Sequence, residues 1–179
     1  IAIGASHSLV TPSASTVWVR SPRLAEYTAH WANKAVGLAG WCKSSGSKGL
    51  QMYVPLNTPG ATHQGCADFA LAVGQVVERQ LEGEVTTVMA KAKRPGKVFV
   101  DWSQNAHHKT TIAPYSLRAR PEPTVSTPVS WDEVEACAEG EAELVFRSDD
   151  VLARVDELGD LFADVLTVEQ QLPEPTAGR

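Results

Sequence analysis

An α+β fold with one mixed or antiparallel sheet flanked by helices is what the sequence predicts, and three observations predict it. A strand-period run, Leu50 to Leu56, lies between two turn signals. Apolar residues then recur every three or four positions from Cys66 to Leu81. A serine placed three residues before a glutamate, Ser130 to Glu133, opens a helix-rich final third.

The first forty residues scatter Ser, Thr, Ala and Trp at neither helical nor strand period, apart from a weak helical stripe of Leu24, Tyr27, Trp31 and Ala35 after Pro22. Ser44-Ser45-Gly46-Ser47-Lys48-Gly49 is a turn, and Asn57-Thr58-Pro59-Gly60 closes the strand that follows it. Cys66, Phe69, Ala70, Val73, Val77 and Leu81 then form one apolar stripe, so residues 63–82 are a helix entered at Thr62 or His63, lying on one face of the sheet. Val98-Phe99-Val100, after Pro95-Gly96, is a short strand, and Thr110-Thr111-Ile112 is expected to pair with it as a hairpin. Pro114, Pro121, Pro123 and Pro128 impose an extended path before the helix at Trp131. Ser148 or Asp149 opens another helix through Leu158, and Thr167 with Gln170 repeats the capping pattern near the end. No internal repeat, long linker or low-complexity segment divides the chain, so one α+β domain is the economical reading.

Composition narrows the function. With 179 residues and 43% hydrophobic content the chain holds one core, and no apolar run approaches the ~18 residues of a membrane span. Three cysteines at wide spacing fit neither a disulfide framework nor a zinc ligand set, which suggests a reducing cytosol. The start at Ile1, without a basic signal region, suggests a processed product or a fragment. The net charge of −5 conceals an asymmetry: residues 1–120 hold 13 of the 16 Lys+Arg and six of the 21 Asp+Glu, a balance of +7, and the rest carries −12. A basic face on an acidic protein attracts polyphosphate or nucleic acid, although an ordinary solvated surface with an acidic tail accounts for the same counts.

Three constellations carry possible chemistry. The Ser44 to Gly49 loop offers two glycines, several hydroxyls and Lys48, the parts of a phosphate cradle, yet it lacks the P-loop spacing and equally fits a flexible turn. Lys91, Lys93, Arg94 and Lys97 precede a strand that ends at Asp101, where a carboxylate ligates Mg2+ or Mn2+ or simply caps a turn. Arg118 and Arg120, two apart on extended chain, project to one side, toward phosphate or toward the acidic C-terminal third. His107-His108 fits a solvated hairpin tip better than a metal site, and the five tryptophans fit a core or rim better than base-stacking platforms.

Ser45-Gly46-Ser47-Lys48-Gly49-Leu50, the run Lys91 to Arg94 through Val98-Phe99-Val100-Asp101-Trp102, Tyr115-Ser116-Leu117-Arg118-Ala119-Arg120, and Pro128-Val129-Ser130-Trp131-Asp132-Glu133 occur in the order seen in the polymerase domain of bacterial DNA ligase D. The chain resembles that branch of the archaeo-eukaryotic primase superfamily over roughly residues 41–173. The resemblance implies a primase-type catalytic core with an RRM-like sheet, incomplete at its N-terminus, that adds NTP or dNTP to DNA 3′ ends in non-homologous end joining. It implies phosphate contacts from Ser45, Gly46, Lys48 and Arg118, with Lys91 and Arg94 nearby, and Asp101 as catalytic metal ligand. Gln51 stands where many members have histidine, a neutral replacement in the nucleotide-binding set. The implied partners are DNA ends, nucleotides, a separately encoded ligase and an end-binding protein, with no membrane; the implied location is the cytoplasm, at the nucleoid. The family's Asp-x-Asp pair on an upstream strand is missing: the one acidic residue before Ser44 is Glu26, and Thr11-Pro12-Ser13 follows His7-Ser8-Leu9-Val10 where the pair belongs. A shifted reading frame or divergence over residues 1–40 would account for that. The two-ion Mn2+ or Mg2+ site is then incomplete and nucleotide transfer impaired, the alternative being a non-catalytic nucleic-acid or nucleotide-binding module.

Overall fold

A computed structural model describes residues 14–19 and 37–173 of the chain. A four-stranded antiparallel sheet forms its centre, in the order β1-β3-β2-β8. The strands are β1 (Ala14–Val19), β2 (Trp41–Ser44), β3 (Leu50–Pro55) and β8 (Pro128–Val129). β3 is buried along its whole length, paired on one side with β1 (Trp18 opposite Gln51) and on the other with β2 (Lys43 opposite Gln51).

The period of two assigns the faces. Cys42, Leu50, Met52, Val54 and Val129 belong to the main core, together with Cys66, Ala70 and Val77 of the long helix. Trp41, Lys43, Gln51 and Tyr53 alternate with them and turn to the other face. There Tyr53 meets Phe162 edge to face at 5.3 Å, with Trp41 and Val165 packed around them. The second face is thus apolar at one end and carries the Lys43 amine and the Gln51 amide at the other.

Helix α1 (His63–Gln80) is capped by Thr62, whose hydroxyl accepts from Gly65 N at 3.0 Å. Its buried stripe is Cys66, Ala70, Val73, Gly74 and Val77, as the periodicity predicts. Gly74 is where the helix comes closest to its neighbours: a Cβ there would lie 2.8 Å from Thr87 Cγ2 and 3.1 Å from Val100 Cγ1. Val100 therefore faces α1.

Helix α2 (Trp131–Glu139) starts in the capping box foreseen at Ser130 and Glu133 and ends at the left-handed Gly140. Helix α3 (Ser148–Leu158) is capped one residue earlier than expected, where Arg147 N donates to Asp150 at 2.8 Å. Arg154 of α3 bonds both Glu133 oxygens and lies over the Phe146 ring, which ties the two helices together.

Three sequence expectations change. Residues 14–19 form a strand although no strand period marks them; the Thr16-Val17-Trp18-Val19 run supplies β-branched and aromatic residues, and pairing with the buried β3 holds it. The expected hairpin from Val98 to Ile112 is absent. β5 (Val98–Phe99) instead pairs in parallel with β4 (Val85–Thr86), because a 3-10 turn at Trp102–Asn105 carries the chain away and Thr111 is spent on Gln51. No helix opens at Thr167. A 3-10 turn at Ala163–Leu166 leads into extended chain, because the Gln170 side chain bonds Ala39 N, Ala39 O and Pro55 O rather than a helix terminus. The weak stripe from Leu24 to Ala35 lies outside the described residues. No described helix is long and apolar enough to cross a membrane.

Candidate functional site

The Ser45 to Gly49 loop joins β2 to β3 and is closed on itself: Ser45 N donates to Gly49 O at 2.8 Å and Gly49 N to Ser45 Oγ at 3.2 Å. Residues 124–127 fix it from the side. Thr124 Oγ1 donates to Gly46 O at 2.5 Å, Ser126 Oγ to Ser44 O at 2.8 Å, and Ser44 N to Thr127 O at 2.8 Å. Those residues run from β7 (Thr124–Val125), the antiparallel partner of β6 (Leu117–Arg118), so the same hairpin brings Arg118 to the loop.

Gly46 shows how close that approach is. At φ +62° it occupies the left-handed region, and a Cβ would fall 2.7 Å from Arg118 Cγ and 3.0 Å from Ser126 N. Arg120, two residues on, donates to Ser47 Oγ. Both arginines therefore reach the loop, while the two ion pairs among the described residues, Arg147 with Glu122 and Arg154 with Glu133, involve neither. Lys48 lines a cavity of about 150 Å3 with Ser44, Ser47, Gly49, Leu50, Leu144 and Val145.

Beneath the loop lies a residue the sequence reading passed over. Lys43 is fully buried, and its Nζ donates to Ser126 Oγ at 2.6 Å. Burial above all lowers its pKa to about 7; the Cys42 thiol opposes this and the Arg118 guanidinium adds to it. The alternation of Trp41-Cys42-Lys43 already set Lys43 opposite the core face. Ser126, more than 80 residues away, carried no sequence signal. Gln51 is also fully buried: its Nε2 donates to Thr111 Oγ1 and its Oε1 has no hydrogen-bond partner.

The second group is arranged differently. Val100 faces α1, so Asp101 turns away from it. Asp101 Oδ1 accepts from Ser103 N and Ser103 Oγ at 3.2 and 2.7 Å, and Oδ2 from Gln104 Nε2 at 3.0 Å. Arg94 stacks on Phe99 with its guanidinium carbon 3.5 Å from the ring centre, and it donates to the Val88 and Met89 carbonyls. Lys91 stands exposed on a 3-10 turn at Lys91–Lys93. His107 meets His63 ring edge to face at 5.4 Å, on a turn rather than a hairpin tip.

A two-ion Mg2+ or Mn2+ site needs several hard oxygen donors converging. Strands β1, β2, β3 and β8 contain no Asp or Glu, both Asp101 oxygens are engaged within their own turn, and no group of three His, Cys, Asp or Glu able to hold a metal occurs among the described residues. The donors among the described residues do not fit such a pair. The arrangement around the loop suits another task, holding a polyanion with backbone N–H groups, hydroxyls and one or two cations.

Residues 12–162 match the family model described as LigD, primase-polymerase domain. The chain is 51% identical over 120 residues to the multifunctional non-homologous end joining protein LigD of Mycolicibacterium smegmatis, covering 67% of this chain and 15% of that protein. The Mycobacterium tuberculosis LigD is 45% identical over 126 residues, 70% of this chain and 16% of that one. The chain thus spans about a sixth of these relatives. The solved polymerase domain of M. tuberculosis ligase D in complex with DNA superposes with a TM-score of 0.79 at 35% identity, covering 88% of this chain and 56% of that domain. The chain belongs to the primase-polymerase domain family of the LigD end-joining proteins.

Proposed function

We propose that this chain is the nucleotide-holding part of an end-joining polymerase domain, with greatly reduced capacity to add NTP or dNTP to a DNA 3′ end on its own. The observation that carries the reading is the contact between Gly46 and Arg118 Cγ, which supports an arginine lying beside a loop of hydroxyls and backbone donors. In this reading Ser45, Gly46, Lys48 and Arg118 take the triphosphate, with Lys91 and Arg94 nearby in the same phosphate-binding set. Asp101 is the remaining metal ligand; released from Ser103 and Gln104 it would still supply one carboxylate where two ions need several. The partners in this reading are DNA ends, a DNA ligase activity and an end-binding protein.

Two measurements test this. Fluorescent-nucleotide titration is expected to show triphosphate binding that Arg118→Ala weakens by roughly tenfold or more, the loss of a charge-assisted contact. Mn2+-dependent primer extension is expected to run roughly a hundredfold or more below that of the M. tuberculosis polymerase domain. Absence of nucleotide binding overturns the proposal, and extension at the relative's rate overturns the impairment.

A further inference from the structure

We propose that polyphosphate binding at the Ser45 to Gly49 loop draws a proton onto Lys43, so that affinity for a nucleoside triphosphate falls as pH rises; this rests on the phosphate-holding role proposed above. Lys43 Nζ donates to Ser126 Oγ, and Ser126 spends its own hydroxyl proton on Ser44 O, so the serine oxygen serves the lysine purely as acceptor. An ammonium carries three N–H groups. Ser126 satisfies one, and the Tyr53 ring, 5.9 Å from Nζ, gives a second weak support. The remaining demand, in a fully buried site, favours the neutral amine in the free protein.

The groups facing Lys43 explain why a ligand would reverse this. Cys42 adjoins it on β2, Arg118 acts on it from β6, and across the strand stand the uncharged Gln51 and Pro128. A phosphate against Arg118 cancels the repulsion that Arg118 exerts on a charged lysine. An acceptor also waits. Gln51 is the register partner of Lys43, and its buried Oε1 has no hydrogen bond while its Nε2 is held by Thr111. A newly charged Nζ gains an acceptor that the neutral amine leaves unused. Gln51 then acts beneath the loop through Lys43 rather than on the ligand.

The test is titration calorimetry of the 179-residue chain with ATP in EDTA at pH 8, in two buffers of different ionisation enthalpy. Uptake of roughly 0.5 to 1 proton per nucleotide is expected, with ATP affinity falling by up to about tenfold per pH unit between pH 7.5 and 9. Lys43→Arg, charged throughout that range, is expected to remove both effects. If Lys43→Arg does not fold, the wild-type pH profile and buffer comparison decide. Binding with buffer-independent heat and a flat pH profile overturns the inference and leaves the nucleotide-holding role standing. No binding at pH 6.5 or pH 8 overturns that role, and this inference with it.

Discussion

Single residues decide how the loop is held. Gly46 has both a left-handed backbone and a neighbour inside van der Waals contact, so Gly46→Ala must move Arg118 or the loop. A loss of about 2 kcal/mol in urea unfolding, together with weaker nucleotide binding, is expected; an unchanged unfolding midpoint would contradict the packing described. Lys43 makes a prediction about stability without ligand. Its pKa in the folded chain is near 7, against 10.5 for an ordinary lysine, so between these values the unfolded chain binds the extra proton. Stability therefore rises as pH increases from 7 toward 10.5, by at most about 1.4 kcal/mol per pH unit from this group. Lys43→Met is expected to lose that slope, measured as the difference in denaturant midpoint at pH 7 and pH 9. Glu133 works in the opposite region: although burial alone would raise it, its bonds to Arg154 and Ser130 hold its carboxyl below the usual range. That contribution is present above the unfolded carboxylate value and is lost as pH falls through the folded one, so Glu133→Gln should flatten the acid limb of a stability curve.

At the level of elements, what could be foreseen depended on how local the cause is. The stripe from Cys66 to Val77 and the box from Ser130 to Glu133 are written within a few turns of chain, and α1 and α2 appear where those signals put them. β1 and β5 are held by partners far along the chain, Leu50–Pro55 and Val85–Thr86, and a two-residue strand has no period from which to read its neighbour. Gln170 shows the same limit, since its local capping pattern yields to three bonds with Ala39 and Pro55. The candidate site divides along the same line. The loop and both arginines were legible as motifs, whereas Lys43 with Ser126, and Gln51 with Thr111, meet through the fold. Two substitutions check the elements themselves. Ser130→Ala removes one arm of the box and is expected to cost about 1 kcal/mol by thermal or urea unfolding. Gly74→Val would push α1 off Thr87 and Val100, with an expected loss of about 2 kcal/mol or more and no direct effect on the loop.

The whole molecule is organised around one continuous core that joins α1, the central sheet, α2 and α3, with Val134, Phe146 and Val151 closing the far side. Its charge follows a different division, basic before residue 120 and acidic after it. DNA affinity without added metal is therefore expected to fall steeply with salt, each neutralised phosphate adding about −0.9 to the logarithmic slope for duplex; a flat salt response would mean that the basic segment does not face nucleic acid. The stretch after α3 crosses back over the second face of the sheet: Phe162 packs on Tyr53, Asn57 Nδ2 donates to Val165 O and Val168 O, and Gln170 N donates to Leu56 O. The end of the described chain is thereby sewn to the rim of the sheet where β2 begins and β3 ends. A protease that nicks near residue 168 would uncover the tryptophan and tyrosine at that rim in the same event, so tryptophan emission should redden in step with the cleavage rather than after it.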